Sequence, residues 1–405
     1  MTLFAPLRGL RPPPDRAAEV AELPYDVMDR QEALAMAAGR PHSFLHVSRP
    51  DIDLPADVDA DSPQARASAA AALARLRAAG MLVRDTSPSF HAYRMTREGH
   101  QQTGVVGVAD VLAYDGGRIR RHETTRPAKQ ADRAAHIEAL DAQTGPVLLI
   151  HRPDPRIREV LQEVTGDPAP TSFVGPGGVG HELWPIEHPA AVAALISAFD
   201  AHESLYIADG HHRSAAASMV HAHRGSTSSA AFLAVSFPAD EVRILPYNRV
   251  VRAPDGMGAE AILAGVAERL AVEPAEGPVA PAAPGRFGLY LAGRWYRLTA
   301  PDALRAGGEA VDQLDVAVLQ RSVLEPVLGI ADPRRDPRIG FVGGVRPLTE
   351  LQAAVDGGRW TTAFSMHPTT VEDLIGVADA SGIMPPKSTW FEPKLLDGLV
   401  SHVLD

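Results

Sequence analysis

The run "LYIADGHHRSAAAS", Leu205 to Ser218, carries the densest polar chemistry in the chain. An apolar stretch of strand character ends on "DGHHR", and an alanine-rich helix follows. The five residues of this DGHHR turn are Asp209, Gly210, His211, His212 and Arg213. Backbone N–H groups and the helix dipole favour an anion at a helix start, and a guanidinium group suits phosphate. Histidines can transfer protons, and Asp209 can hold Mg²⁺ or orient a histidine. In the alternative interpretation Asp209 only caps the helix.

A second cluster lies in "GGRIRRHETTRPAKQADRAAH", Gly116 to His136. Its cations are Arg118, Arg120, Arg121, Arg126, Lys129 and Arg133. Such a group in an acidic protein favours a nucleotide or another multiply charged anion, and Glu123 among the cations could be a base or a metal ligand. The run "HETTR" is not a zinc motif, because Arg126 stands where HExxH needs its second histidine. A solvated, charged helix is the alternative interpretation.

A third candidate is "MPPKSTWFEPK", Met384 to Lys394. Lys387, Ser388 and Thr389 offer a charge and two hydroxyls, but no GxxxxGK precedes them, so this is not a Walker A loop. The alternative is a rigid, packed segment. "PYDVM" adds Asp26 on a shaped loop, whereas "FVGGV" lacks the dinucleotide fingerprint and no GxSxG elbow occurs.

The elements around these motifs predict an α/β (α+β) fold with a mixed sheet core and helical additions. A helix, the strand "SLYIA", the DGHHR turn and a second helix form an αβα unit, and open α/β sheets commonly bind ligands at the carboxyl ends of strands. The expected organisation is a mostly helical region over 1–89, an α/β core over 90–272, a linker over 273–286 and a C-terminal α/β region over 287–405. Within the first region, "GRPHSFLHVSRPDIDLP" predicts a short strand and a loop.

Composition limits the function classes. The formal net charge of −11 repels phosphate backbones, so no nucleic-acid partner is expected. The absence of cysteine excludes disulfides and thiolate chemistry. No window of the sequence resembles a signal peptide or a membrane span, which predicts a cytoplasmic protein that does not bind membranes. The oligomeric state cannot be read from the sequence.

Several motifs together resemble a known family. The runs "PYDVM", "RRHETTRPAKQADR", "GPVLLIH", "YIADGHHRSAAA", "LPYNRVV" and "MPPKSTWFEPKL" match, in order, the pattern of the bacterial family called domain of unknown function 1015. The DGHHR turn alone resembles the phosphate loop of the ParB and sulfiredoxin superfamily, in which a glycine, a histidine or cysteine, and an arginine open a helix and hold nucleotide phosphates. One branch of that superfamily comprises free L-serine kinases, which carry a similar turn and make O-phosphoserine.

This resemblance implies a small-molecule kinase with Mg²⁺ and with ATP or ADP as phosphoryl donor. The site residues expected for such an enzyme fall into three groups. The catalytic candidates are Glu123 as first base, Asp209 (also the Mg²⁺ ligand), His211 and His212. The phosphate-binding candidates are Gly210, His212, Arg213, Lys387, Ser388 and Thr389. The substrate-binding candidates are Asp26, also the second candidate for the base, and Arg120, Arg121 and Arg126.

Two other functions stay open. One is a metal-dependent phosphatase or other hydrolase, and the other is a non-enzymatic regulator that keeps a ligand pocket. For Arg213 we expect an exposed loop position, so that replacement by alanine would abolish turnover and leave the melting temperature nearly unchanged.

Overall fold

The computed structural model describes residues 2–404, which contain 21 strands and 13 α-helices. The strands are β1 (Phe4–Ala5), β2 (Leu10–Arg11), β3 (Val83–Arg84), β4 (Phe90–Arg97), β5 (His100–Asp110), β6 (Ile119–Arg120), β7 (Ala142–Gln143), β8 (Val147–His151), β9 (Thr171–Val174), β10 (Gly180–Ile186), β11 (Leu205–Asp209), β12 (Ala231–Pro238), β13 (Ile244–Leu245), β14 (Tyr247–Val251), β15 (Ala271–Ala275), β16 (Arg286–Leu291), β17 (Arg294–Thr299), β18 (Ile339–Gly343), β19 (Thr362–Met366), β20 (Trp390–Phe391) and β21 (His402–Val403). The α-helices are α1 (Ala17–Val20), α2 (Arg30–Ala37), α3 (Leu45–Ser48), α4 (Pro63–Ala78), α5 (Val111–Asp115), α6 (Pro127–Leu140), α7 (Pro155–Val164), α8 (Pro189–Ala201), α9 (His211–Arg224), α10 (Ala259–Ala267), α11 (Asp315–Leu319), α12 (Leu348–Asp356) and α13 (Val371–Asp379).

The chain divides into two compact units. The first contains residues 1–242 and 393–405, and the second contains residues 243–392. This division does not follow the boundaries expected from the sequence at residues 89, 272 and 286. The N-terminal region is part of the first unit because β1 pairs with β5 and because the Leu10 and Ser401 backbones exchange hydrogen bonds.

A nine-stranded mixed sheet forms the centre of the first unit. Its main order is β6-β11-β8-β12-β5-β4-β10-β9, and β1 pairs with β5 beside this path. The β6–β11 and β8–β12 pairs are parallel, whereas the other pairs are antiparallel. Strand residues such as Leu149, Ile207 and Phe232 form one buried cluster with Phe199 of α8 and Ala217 of α9. The predicted α/β class with a mixed sheet is confirmed.

Local sequence signals place the main helices of this unit. Ser62 caps α4, since its side chain accepts a hydrogen bond from the Ala65 N–H. Proline stands at the first position of α4 and of α6, where its missing N–H costs no helical hydrogen bond. Helix α9 begins directly after Gly210 and ends at Gly225, and both glycines have positive φ.

The expected strand within residues 39–55 is wrong. The apolar residues Phe44, Leu45 and Val47 are buried on the short helix α3 and its N-terminal neighbour, and a 3₁₀ turn at Pro50–Asp53 follows. Phe44 and Val47 are three residues apart, which suits one turn of helix, whereas Leu45 and Val47 are two apart, which suits an alternating strand. The surrounding packing decides between helix and strand.

The second unit is built around a six-stranded antiparallel sheet. Its order is β15-β17-β16-β19-β14-β18, and a separate pair joins β13 to β20. The stretch expected to be a linker from Glu273 to Arg286 begins inside β15, where Glu273 is opposite Arg297. Its Val279 is buried in the unit's apolar cluster. The proline-rich composition therefore does not mark a linker, because an edge strand needs backbone bonds on only one side.

Among residues 2–404, no helix combines the length and apolar character needed to cross a bilayer.

Candidate functional site

Two of the sequence clusters meet at one edge of the first unit's sheet. Strands β6 and β11 are adjacent and parallel, with Ile119 opposite Leu205 and Arg120 opposite Tyr206. Their carboxyl ends therefore point in the same direction, and the segments that follow lie side by side. These segments are residues 121–126, called here the HETTR loop, and the DGHHR turn. The structure thus places the cationic loop beside this turn.

Gly210 allows the chain to pass directly from strand to helix. Its φ of +98° lies in the region that only glycine adopts readily. A Cβ at this position would lie 3.1 Å from Arg213 Nε and 3.3 Å from Val147 Cα. The first backbone N–H groups of a helix point toward its N-terminus, here the turn, and no side chain caps them in α9.

Asp209 is held between two cations. Lys394 Nζ donates to Asp209 Oδ2 at 3.1 Å, and Arg213 Nη2 lies 3.6 Å from Asp209 Oδ1. Burial alone would raise the pKa of Asp209, but Lys394 and Arg213 lower it well below its ordinary value. The carboxylate is therefore ionised and a poor proton acceptor near neutral pH.

The donor set around Asp209 does not fit a resident Mg²⁺ ion. Magnesium prefers uncompensated oxygen ligands in octahedral geometry. Both oxygens of Asp209 already face a cation, and residues 2–404 contain no group of three or more His, Cys, Asp or Glu side chains arranged as metal ligands. Any Mg²⁺ in a reaction here would accordingly enter as part of a metal–nucleotide substrate.

His211 joins the turn to the HETTR loop. The residue is 4% exposed, its ring meets the His122 ring edge-on at 4.5 Å, and its Nε2 accepts a hydrogen bond from the His122 backbone N–H at 3.5 Å. Burial, together with His122, lowers the pKa of His211 well below its ordinary value. The neutral ring therefore carries its proton on Nδ1, which lies 3.8 Å from Glu123 Oε2.

Glu123 and His212 complete this junction. The Glu123 side chain is 38% exposed, so it can reach a ligand while contacting His211. His212 Nε2 accepts a hydrogen bond from the Arg126 backbone N–H at 3.1 Å. Both histidines of the turn thus accept hydrogen bonds from the backbone of the HETTR loop. The bond to His212 fixes the loop beside the start of α9.

Three arginines and Asp26 are the remaining predicted substrate residues. Arg121 and Arg126 are exposed, and Arg121 lies over the Tyr114 ring at 5.3 Å. Arg120 pairs with Glu203 at 3.2 Å. Asp26 is exposed, and its charge acts on Arg213 and Asp397.

Arg213 is not on an exposed loop, so that expectation is wrong. Its side chain is 10% exposed and donates to the Pro146 carbonyl oxygen. Burial alone would lower the pKa of Arg213, but the charges of Asp209, Asp26 and Asp397 raise it. The guanidinium is therefore a permanent buried cation, because the first turn of α9 directs it inward.

Lys394 and Asp397 were missed by the sequence reasoning. Asp397 is 2% exposed, and its backbone exchanges hydrogen bonds with that of Glu22. Burial raises the pKa of Asp397 to about 7, although Arg213 and Arg133 oppose this. Both residues lie in the run "FEPKLLDG", whose lysine and aspartate beside one proline and two leucines were the only available signal.

Lys387, Ser388 and Thr389 belong to the second unit. Ser388 is 6% exposed, its hydroxyl donates to the Pro385 carbonyl at 2.7 Å, and its own carbonyl accepts from Thr369 at 2.9 Å. The Lys387 carbonyl accepts from Arg249 at 3.0 Å. These bonds form a packed turn, and the phosphate-binding role of the three residues stays a prediction.

The chain resembles several known proteins. A search of curated proteins found no match. Solved structures similar to this chain include a free serine kinase in complex with AMP, at 13% identity and a TM-score of 0.37, covering 71% of this chain and 86% of that one. A conserved hypothetical protein from Pyrococcus furiosus has 14% identity and a TM-score of 0.36, covering 72% and 93%. SbnI with a C-terminal truncation from Staphylococcus aureus has 13% identity and a TM-score of 0.39, covering 72% and 85%.

Because these TM-scores lie below 0.5, none of the three likenesses defines the fold or the activity of this chain. A match to a whole family is more informative. The family described as "Protein of unknown function (DUF1015)" matches residues 4–317, well over half of the 405-residue chain. The chain therefore belongs to this family, as its motifs predict.

Proposed function

We propose that the protein transfers a phosphoryl group from a nucleotide to a small hydroxy amino acid, with L-serine as the first acceptor to test. One observation carries the proposal. The parallel pair β6–β11 joins the HETTR loop to the DGHHR turn, so that a half-exposed carboxylate, Glu123, lies against the neutral His211 at the start of a helix. The resemblance of the turn to that of free L-serine kinases supports serine as the acceptor.

The nucleotide phosphates have two attractive groups here. The backbone N–H groups at the start of α9 are not capped by a side chain, and the helix dipole adds partial positive charge. The exposed cations Arg121 and Arg126 lie on the neighbouring HETTR loop. Mg²⁺ enters with the nucleotide, as is usual for nucleotide substrates.

Glu123 is the candidate base. The acceptor hydroxyl oxygen attacks the terminal phosphorus, its proton passes to the Glu123 carboxylate, and the bond from phosphorus to the bridging oxygen breaks to release the shortened nucleotide. His211 Nδ1 lies 3.8 Å from the same carboxylate. Asp209 has a lowered pKa, so it remains ionised and holds Lys394 and Arg213 in place rather than accepting the proton. Catalysis of this type depends on positioning and charge neutralisation.

Phosphorus NMR tests this proposal. Purified protein is incubated with Mg²⁺, ATP or ADP, and L-serine, and a new phosphomonoester resonance is expected. Glu123→Gln should lower its rate of formation by roughly 10²-fold or more, since a positioned base contributes about 10²–10⁴-fold. Glu163→Gln, at an exposed position on α7, is the matched control and should leave the rate unchanged.

Other spectra would contradict the proposal. Inorganic phosphate alone, formed at the same rate with and without L-serine, would indicate a hydrolase. Nucleotide binding with no change in the spectrum for any hydroxy acid would indicate a ligand-binding regulator.

A further inference from the structure

A small, partly open cavity in the first unit is lined by Arg213 of the DGHHR turn. Its volume is about 40 Å³, and its polar lining includes Ser48, Arg133, Thr144, Arg213 and Asp397. Glu123 and His211 do not line it, whereas Arg213, in the first turn of α9, does. The sequence motifs assigned no ligand to this place.

One side chain of the cavity wall has no protein partner within the described residues. Ser48 is 5% exposed, and its hydroxyl oxygen is buried without a hydrogen bond. An unpaired buried hydroxyl costs about 1–3 kcal/mol, so such groups normally meet a ligand or water. By contrast, Gln143 in the same wall uses its side-chain amide on the Ala231 carbonyl and the Leu233 N–H.

Two guanidinium groups in the lining can bind an anion. Arg213 is fixed by the Pro146 carbonyl. Arg133 is fixed by two bonds to Asp132, at 2.8 and 2.6 Å, and stacks on Tyr25 at 4.2 Å. Guanidinium groups held in this manner bind carboxylates with little loss of side-chain entropy.

Asp397 is the acidic residue of the lining, and its protonation depends on its neighbours. The charges around it are Arg213, Asp26, Arg133, Tyr25 and, on its own segment, Lys394. His136 also lines the cavity, but burial lowers its pKa to about 3, so it is neutral. Glu22, whose backbone pairs with that of Asp397, binds Ser43 and Arg40 through its own carboxylate.

The size of the cavity limits the ligand. A volume of about 40 Å³ admits a small group of a few heavy atoms. A carboxylate has three heavy atoms, whereas a phosphate group has five. We propose that this cavity binds the carboxylate of the acceptor substrate through Arg133, Arg213 and the Ser48 hydroxyl. The inference rests on the proposed function and names the acceptor class as small hydroxy acids.

Protonated Asp397 donates a hydrogen bond to a bound carboxylate, whereas ionised Asp397 repels it. Since the pKa of Asp397 is about 7, L-serine should bind about tenfold more weakly at pH 8 than at pH 6. Asp397→Asn removes the titration, so its affinity should be equal at the two pH values. The α-ammonium group of serine does not titrate in this interval.

The experiment is isothermal titration calorimetry of the full chain without nucleotide. L-serine and its carboxylate-free analogue L-serinol are the probes, and L-serinol should bind at least tenfold more weakly. Ser48→Ala and Arg133→Gln should weaken L-serine binding several-fold, with melting curves confirming that both variants fold. Ser89→Ala, a buried serine outside the cavity, should have no effect.

Three results would each overturn the inference and leave a cavity for ordered water. They are equal affinity for L-serine and L-serinol, no binding of L-serine at millimolar concentration, and pH-independent binding to the unaltered protein. The outcome is separable from that of the phosphoryl-transfer assay. Carboxylate binding without a phosphomonoester product would contradict the proposed reaction alone, whereas equally fast phosphorylation of L-serinol would contradict the carboxylate site alone.

Discussion

At the residue scale, burial changes the roles that residue type alone indicates. Arg213 looks like an exposed phosphate ligand in the sequence, but its guanidinium is buried among Asp209, Asp397 and the Pro146 carbonyl. Asp209 looks like a metal ligand, yet Lys394 and Arg213 neutralise it. The sequence singled out these residue types, and their partners could not be identified because they come from distant segments.

Arg213→Ala is therefore expected to destabilise the protein, in contrast to the expectation from sequence. Removing one partner of a buried ionic group costs about 3–5 kcal/mol, because the remaining charge loses its compensation. Urea unfolding should show a loss of at least about 3 kcal/mol. Lys129→Ala, an exposed cation of the same sequence cluster, should change stability by no more than about 0.5 kcal/mol. A small effect of Arg213→Ala would mean that Lys394 alone compensates the charges of Asp209 and Asp397.

At the scale of elements, a strand, a one-glycine turn and a helix position the site. The apolar run ending at Asp209 and the alanine-rich helix after it were predicted from periodicity, and β11 and α9 confirm them. The parallel partner β6 is only two residues long, Ile119–Arg120, which is too short for any periodic signal. The neighbourhood of the HETTR loop thus depends on strand pairing and not on local propensity.

Gly210→Ala tests the strand–turn–helix unit. A positive φ costs a non-glycine residue about 1–2 kcal/mol, and here the added Cβ also meets Arg213 and the Val147 backbone at 3.1–3.3 Å. Gly225→Ala, at the other end of α9, has positive φ but no atom within 4 Å of the new Cβ. Urea unfolding should show a larger loss for Gly210→Ala than for Gly225→Ala. Equal losses would show that the close contacts relax freely and that only backbone strain matters.

At the scale of the whole molecule, the chain returns to its first unit at the end. Residues 393–404 supply Lys394 to Asp209, place Asp397 beside Arg213, pair β21 with β7, and bury Leu404 against α6 and α9. The family match ends at residue 317, so these contacts lie outside it. The first unit is consequently incomplete without the last dozen residues.

A chain ending at Glu392 should show this dependence. Loss of the return segment exposes apolar surface and leaves Asp209 without Lys394, so we expect a lower melting temperature and rapid limited proteolysis of the first unit. A synthetic peptide of residues 393–404, added in excess, should partly restore both by mass action. A truncated chain with unchanged melting and proteolysis would show that the return segment is dispensable.

The sequence by itself determined the family, the α/β class, the strand–DGHHR–helix unit and the chemical character of the HETTR loop. These follow from local signals, namely periodicity, turn glycines and runs of charge, which act over a few residues. The tertiary structure decided which groups meet: Glu123 with His211, Lys394 with Asp209, and Asp397 with Arg213 across a cavity. It also decided that residues 273–275 form an edge strand and that residues 45–48 form a helix. The physical reason is that pairing and burial depend on segments up to several hundred residues apart, and the energy of a charged group depends on those partners more than on its neighbours in sequence.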